Sequence, residues 1–165
     1  EPQNNLLFLL IHDNQKKIES TLKSRCVEFK FNINENTTKE IVNSVMNEDI
    51  FDKISADFIN YSNTPLNYIN FINICNSFNL DYQNITIEDF VSFIFNNKSN
   101  LKKILSNDDI KFYLELYFLK SKLLSKNENL FNLFSYFNKK YKFINKFNLD
   151  FDTYLIEFKS KMINE

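Results

Sequence analysis

Thr37-Thr38-Lys39-Glu40 has the Thr-x-x-Glu pattern of a helix capping box, and this stretch decides the fold of most of the chain. Ile41, Val42 and Val45 follow it at the spacing of one helix face. Apolar residues keep recurring three and four positions apart to the end of the sequence. We therefore predict a mainly α-helical fold from about residue 34 onward.

Six further helices are predicted after this first one, each from a set of apolar residues that share a face. Thr64-Pro65 and Thr86 are typical first residues of two of them, because proline fits the first turn and threonine caps it. The apolar faces are Phe51, Ile54 and Phe58; Tyr68, Phe71, Ile72, Cys75 and Phe78; Phe90, Val91 and Ile94; Ile110, Leu114 and Tyr117; Leu130, Leu133, Phe134, Phe137, Tyr141 and Ile144; and Phe151, Tyr154, Leu155, Phe158 and Met162.

The composition excludes a disordered chain but sets an unusual condition on the turns. Hydrophobic residues make up 44% and aromatic residues 16% of the sequence, so there is ample apolar surface to bury. Glycine is absent, with a count of 0. Helix C-caps commonly need a left-handed backbone, which asparagine tolerates next best. We therefore expect asparagine at the ends of helices.

The charged residues give no overall attraction for nucleic acid, since 20 basic and 21 acidic residues leave a net charge of −1. Among the basic residues, Arg25 is the single arginine and all the others are lysine. A guanidinium offers a planar fork of donors that suits phosphate, whereas an ammonium is a point charge. Arg25 is thus a candidate phosphate-binding residue, with a chance surface arginine as the alternative.

The sequence predicts no metal site and no membrane span. Cys26 and Cys75 do not form a Cys-x-x-Cys pair, and His12 is the one histidine. Cys75 belongs to an apolar helix face, so we interpret it as a core residue in a reduced, cytoplasmic protein. The apolar run at 6–11 is too short to cross a bilayer.

The stretch 136–146 (Tyr-Phe-Asn-Lys-Lys-Tyr-Lys-Phe-Ile-Asn-Lys) comes closest to a base-stacking platform. Such platforms need exposed aromatic side chains interleaved with basic ones. A packed helix with a solvated lysine face explains the same pattern about as well. Both interpretations stay open at this point.

Residues 1–33 have a different pattern from the rest of the chain. The continuous apolar run at 6–11 is typical of a strand buried on both faces. Asp13-Asn14 is a helix-start signal, and Ile18 and Leu22 follow on one face. Residues 26–31 alternate apolar and charged, as in a strand. We therefore predict a strand–helix–strand piece of an α/β unit, too small to fold alone.

An ordered series of short motifs in this region resembles the bacterial clamp-loader subunits of the AAA+ family. In that family a Glu-Pro pair, a buried strand, the sensor-1 position and a Ser-Arg-Cys motif follow one another. The resemblance is carried here by Glu1-Pro2, Leu7-Phe8-Leu9-Leu10-Ile11, Lys17-Ile18 and Ser20-Thr21-Leu22-Lys23-Ser24-Arg25-Cys26, with His12-Asp13 at the sensor-1 position. The series covers about a fifth of the chain, and the helical remainder is similar to the family in outline.

The resemblance implies that Arg25 is an arginine finger, which reaches the γ-phosphate of ATP bound by a neighbouring subunit. Ser24 and Cys26 would then be supporting residues that hold the loop. ATP and Mg²⁺ would be bound by the neighbour, so no cofactor is expected in this chain. A guanidinium supplied in trans stabilises the charge that develops during phosphoryl transfer.

The resemblance also implies a division into domains and a set of partners. Residues 1–33 would end an AAA+ nucleotide-binding domain, 34–80 would form a helical lid, and 84–165 would form a helical-bundle collar. The collar would join other loader subunits in a hetero-pentamer. Through that complex the chain would contact the sliding clamp and primer-template DNA. No membrane partner is expected.

Two departures from the family pattern favour a non-hydrolysing subunit. His12-Asp13 occupies the sensor-1 position, where the family's ATPases have asparagine or threonine, and a carboxylate beside a γ-phosphate would be repulsive. Asp13 is better explained as an acid at a helix N-terminus. At the sensor-2 position, residues 62–67 contain neither arginine nor glycine.

Two alternatives remain. An active AAA+ ATPase subunit would require a P-loop lysine and an acidic Walker-B pair upstream of these residues. A helical adaptor, in which Ser24-Arg25-Cys26 is coincidental, is the other. The finger role requires that 6–11 be a buried strand beside 26–31 and that Arg25 be accessible.

Overall fold

The computed structural model describes residues 7–12, 18–31, 33–59, 64–124 and 128–162. The chain forms two compact units, residues 1–32 and residues 33–165. Nine α-helices and one 3₁₀ turn are present in the described ranges. They are α1 (Ser20–Lys23), α2 (Glu35–Met46), the 3₁₀ turn (Phe51–Lys53), α3 (Ala56–Ile59), α4 (Pro65–Phe78), α5 (Ile87–Asn96), α6 (Lys98–Leu101), α7 (Asn107–Leu124), α8 (Glu128–Phe147) and α9 (Phe151–Met162).

The mainly α-helical prediction is confirmed, but the two strands predicted in the first unit are not found. Residues 7–12 and 26–31 form no strand and their side chains are exposed, with Leu7 at 91% and Phe31 at 88% of full exposure. A buried strand needs hydrogen bonds from neighbouring strands and a layer on each face. The described residues contain no such partners, so an apolar pattern alone does not make a strand here.

Helix α2 begins earlier than the capping box predicted. The side chain of Asn34 accepts a hydrogen bond from the backbone N–H of Thr37 at 2.8 Å, which makes Asn34 the N-cap and Glu35 the first helical residue. Thr38, predicted to lie at the helix start, is buried with 4% exposure. Asparagine is a better N-cap than threonine, which agrees with Asn34 taking this position.

The single helix predicted through Phe51, Ile54 and Phe58 is split into the 3₁₀ turn and α3. The side-chain oxygen of Asn43 accepts from the backbone N–H groups of Ile50 and Phe51, at 3.1 and 3.0 Å. These bonds take up backbone donors that would otherwise bond water or the preceding turn. All three predicted apolar residues are nevertheless buried, at 2–5% exposure.

Asparagine takes the left-handed helix-end position, as the absence of glycine predicted. Asn47, Asn79 and Asn148 follow α2, α4 and α8 with φ of 58°, 53° and 50°. After α4, the N–H of Leu80 also bonds the carbonyl of Cys75 at 2.8 Å, which satisfies one of the last free helix carbonyls. These asparagines therefore have a structural role in ending helices.

Replacing Asn79 with alanine should destabilise the chain by about 1 kcal/mol, because a Cβ without a hydrogen-bonding group is disfavoured in the left-handed region. Asn79→Gly should retain the stability of the original chain. The matched control is Asn76→Ala, the same chemical change at an exposed position within α4, where alanine is the better helix former. Chemical denaturation of the three variants measures this ranking. Equal losses at the two positions would refute the role of Asn79.

One cluster of buried side chains holds the second unit together, and it draws on α2, α4, α5, α7, α8 and α9. At its centre the rings of Phe58 and Phe71 stack at 3.9 Å, and Phe90 meets Tyr113 edge-on at 4.9 Å. These side chains come from both sides of the expected boundary between lid and collar at residues 80–84. The division into a lid of 34–80 and a collar of 84–165 stays a prediction.

A partly buried group of three charged side chains also links distant parts of this unit. The ammonium of Lys120 on α7 lies 2.6 Å from Asp57 and 2.8 Å from Glu88. The carboxylate of Asp57 accepts in addition from the backbone N–H of Ile87 at 3.0 Å, the first residue of α5. Burial opposes the charged form, but these carboxylates outweigh it and raise the pKa of Lys120.

Glu157 on α9 is held by three groups at the α8–α9 contact. Its carboxylate pairs with Lys140, accepts from the Tyr136 hydroxyl at 2.7 Å and lies 2.9 Å from Lys161. The Lys140 hydrogen bond, then that of Tyr136, lowers the pKa of Glu157 from 4.5 to about 2. A depressed pKa means that ionised Glu157 stabilises the folded chain above pH 4.5.

Stability from Glu157 should be lost as the pH falls from 4.5 toward 2, since the unfolded chain takes up this proton first. Glu157→Gln should therefore be less stable than the original chain at neutral pH and should lose less stability on acidification. Glu48→Gln, at an exposed residue after α2, is the control for a generic charge change. Urea unfolding at several pH values measures the difference. Parallel stability curves for Glu157→Gln and the original chain would contradict it.

Candidate functional site around Arg25

Helix α1 and the turn after it position the candidate site in the first unit. The N–H groups of Leu22 and Lys23 bond the carbonyl of Glu19 at 3.1 and 3.0 Å, which begins the helix. The N–H of Arg25 then bonds the carbonyl of Leu22 at 3.1 Å, so Arg25 lies in a turn that continues from α1. These backbone bonds fix the point from which the Arg25 side chain extends.

The two supporting residues contribute differently to this turn. The hydroxyl of Ser24 donates to the carbonyl of Thr21 at 3.1 Å, so its side chain ties the turn back to α1. Cys26 is an exposed free thiol whose backbone N–H bonds the carbonyl of Lys23 at 3.4 Å. The described contacts thus give Ser24 a side-chain role and Cys26 a backbone one.

Arg25 is exposed, and among the described residues no carboxylate lies within ion-pair distance of its guanidinium. The nearby acid Glu28 is engaged instead by Lys23, with 3.0 Å between ammonium and carboxylate. Hydrogen bonding and charge from Lys23 lower the pKa of Glu28. The described acids thus leave the fork of Arg25 donors exposed, and a guanidinium of this kind suits an anionic group such as phosphate.

The remaining predicted site positions are not brought to Arg25 by the described contacts. His12 is exposed on the irregular stretch 7–12. Asp13 lies outside the described residues, as do residues 62 and 63 of the sensor-2 position. Pro65 opens α4, and the Thr64 side chain makes no capping bond. Cys75 is buried as predicted, and burial raises the pKa of its thiol to about 12.

The rest of the described chain offers little for chemistry on a small molecule. No group of three metal-ligating side chains occurs in the described ranges. A cavity of about 60 Å³ is lined by apolar side chains and contains no titratable group. Its lining residues are Phe118, Leu119, Leu130, Phe131 and Phe134. Within the ranges described, no helix is both long enough and apolar enough to cross a membrane.

Sequence reasoning missed the Lys120 group, whose carboxylates come from residues 63 and 32 positions away. No local sequence pattern predicts this group, because the distances between its members depend on how α3, α5 and α7 pack. The group joins three helices and has no unsatisfied side chain, so we assign it a structural role.

Comparison with known proteins adds no family assignment to this geometry. No protein-family model matches the chain. No curated protein and no solved structure shows a significant similarity to it.

Proposed function

We propose that this chain is a non-hydrolysing, delta-prime-like subunit of a bacterial clamp loader, the assembly that places the sliding clamp of DNA polymerase III on primed DNA. The observation that carries the proposal is the exposed guanidinium of Arg25, which has no ion-pair partner among the described residues, in a turn whose Ser-Arg-Cys sequence follows the clamp-loader pattern. The chain would act in the cytoplasm and contribute to ATP hydrolysis by a neighbouring subunit.

The chemistry assigned to Arg25 needs a side chain that is accessible and fixed at its base. Charge builds up on the oxygens of the transferred γ-phosphate, and a planar guanidinium can donate two hydrogen bonds to them. Helix α1 and the Ser24–Thr21 bond support the turn from one side. The neighbour would hold ATP and Mg²⁺, so hydrolysis would depend on the arrangement of subunits.

The second unit would supply the contacts that hold the subunit in the ring. Its helices share one well-packed core, with buried rings from α3, α4, α5 and α7. Such a unit is rigid enough to present fixed helix faces to partner subunits. The proposed partners are the other loader subunits, the sliding clamp and primer-template DNA.

The exposed residues 7–12 and 26–31 stand against this function and favour the helical adaptor. The finger role needs a buried strand at 6–11 beside 26–31, which the described residues lack. Our proposal therefore includes that both segments become strands in the assembled complex, where they pair with strands other than those of the described residues. The adaptor alternative requires no such pairing.

Co-assembly separates the two functions. The chain, within its full-length protein, is mixed with the remaining clamp-loader subunits of its own organism, and the complex is sized by light scattering after gel filtration. A clamp-loader subunit should enter a stoichiometric complex that also retains the sliding clamp when ATP is added. An adaptor should elute separately from the loader, and that result would reject the proposed function.

A further inference from the structure

Helix α8 has one face that takes no part in the core. Its buried residues Phe137, Tyr141 and Ile144 point to the second unit's interior, at 1–4% exposure. On the opposite side, Lys139, Lys142, Phe143, Lys146 and Phe147 are all exposed. Their numbers differ by three and four, so they form one continuous stripe along the helix. We call these five residues the α8 stripe.

The two aromatic rings of the α8 stripe are presented to solvent. Phe143 and Phe147 are each 56% exposed. Their rings are nearly parallel, with 8° between the planes and 6.0 Å between centroids. The ammonium of Lys146 lies 5.2 Å from the Phe147 ring centre, which steadies that ring. An ordinary core explains neither ring, since both are directed away from it.

The three lysines of the α8 stripe are free of carboxylates among the described residues. The acids on neighbouring elements are engaged elsewhere. Asp108 accepts from Tyr141 at 2.6 Å, Asp150 caps the start of α9 through Thr153, and Glu157 pairs with Lys140. The stripe is thus locally basic, although the whole chain has a net charge of −1.

We propose that the α8 stripe binds a single strand of nucleic acid. Lysines would contact successive phosphates, and Phe143 and Phe147 would stack on unpaired bases. Lys139 and Lys146 are seven positions apart, which is about 10.5 Å along the helix. That length matches about three nucleotides of a stacked strand. Cations and rings recognise phosphate and base but not the 2′-hydroxyl, so DNA and RNA strands should bind alike.

A membrane surface fits the α8 stripe less well. Helices that lie in a bilayer interface bury a broad apolar face. In α8 the broad apolar face is already packed in the core, and the stripe offers two half-exposed rings. The inference rests on α8 alone. It goes beyond the proposed function, in which the chain contacts DNA through the complex and not through this helix.

Fluorescence anisotropy of a labelled oligothymidine, titrated with the 165-residue chain, tests the α8 stripe. With three phosphates neutralised, affinity should fall about 20-fold between about 50 and 200 mM salt. Exchanging Lys139, Lys142 and Lys146 for glutamine should weaken binding about 20-fold at the lower salt concentration. The matched control exchanges Lys30, Lys53 and Lys103, which are exposed and change the net charge equally.

The rings are tested separately from the charges. Phe143→Ala and Phe147→Ala should each weaken binding about tenfold, since each removes one stacked base. Phe131→Ala, an equal change at an exposed position on the same helix, should leave affinity within about twofold, because that ring lies outside the stripe. Circular dichroism verifies that every variant is folded. A duplex should bind more weakly than the single strand and should not respond to the two ring changes.

Three results would overturn the inference. One is the absence of oligonucleotide binding. Another is equal weakening by the stripe variants and their controls. The third is binding to phosphatidylserine vesicles that depends on the same five residues while oligothymidine does not bind, which would make the stripe a membrane surface. A single strand that binds through the lysines and rings alone would support it.

Discussion

In the proposed clamp-loader complex, replacing Arg25 with alanine should slow DNA-stimulated ATP hydrolysis about a thousandfold, while the complex still assembles. Arginine fingers supplied in trans accelerate related NTPases by about 10³ to 10⁵. The turn that carries Arg25 is held by backbone bonds and by Ser24, so truncating the side chain leaves its geometry in place. The loss should therefore appear in the rate of hydrolysis and not in subunit affinity.

Two further variants separate the finger from a general charge effect. Arg25→Lys keeps the charge but loses the planar fork, so hydrolysis should recover only part of the loss. Lys30→Ala removes another exposed cation from the same unit and should leave hydrolysis unchanged. The readout is the steady-state rate with primed DNA and clamp present. Equal rates for Arg25→Ala and the original complex would reject the finger role.

Replacing Phe90 with alanine should destabilise the second unit by about 3 to 5 kcal/mol. Phe90 is fully buried at 0% exposure, and its ring lies against Phe58, Phe71 and Tyr113 at centroid distances of 5.5, 5.1 and 4.9 Å. Removing it leaves a cavity among rings from α3, α4 and α7, so one substitution should weaken the packing of three helices.

The control for Phe90 is the same change at an exposed ring. Phe147→Ala, at 56% exposure, should cost less than about 1 kcal/mol because little apolar area is removed from a packed site. Both variants are compared by chemical denaturation with a tertiary probe. Similar losses at the two positions would mean that the described core does not carry the stability of this unit.

Local sequence signals predicted the helices well where the deciding contact is itself local. At α5, Thr86 caps the helix as predicted, accepting from the N–H of Asp89 at 3.1 Å. The asparagine helix ends follow from the absence of glycine. At α2 two local capping signals competed, and the structure has Asn34 as the cap. Asparagine is the better capping residue, so this boundary also follows from a local preference.

Contacts between distant residues explain the other differences. The predicted helix through 51–58 breaks at Ser55, whose backbone N–H donates to the carbonyl of Tyr82 at 2.9 Å and not to a carbonyl of the preceding turn. Strands are predicted at 6–11 from a continuous apolar run and at 26–31 from an alternating pattern, but a strand forms only with a partner to bond. An apolar sequence pattern indicates which side chains could share one face of a strand, but it does not provide the neighbouring strand.

The sequence predicted the residues of the candidate site but not the contacts that surround them. Sequence alone singled out Arg25 and the two residues beside it. It could not show that Glu28 pairs with Lys23 and so leaves the guanidinium free of that acid. For the stretch 136–146, the sequence left two interpretations open; the structure buries Phe137 and Tyr141 in the core and leaves Phe143 exposed.

The most direct test of the central claim is the position of Arg25 in the assembled clamp loader bound to a non-hydrolysable ATP analogue, determined by cryo-electron microscopy. The account predicts the guanidinium within about 3 Å of a γ-phosphate oxygen held by the neighbouring subunit. It also predicts that residues 6–11 and 26–31 are adjacent strands of one sheet in that complex. An Arg25 side chain directed away from every bound nucleotide would contradict the account.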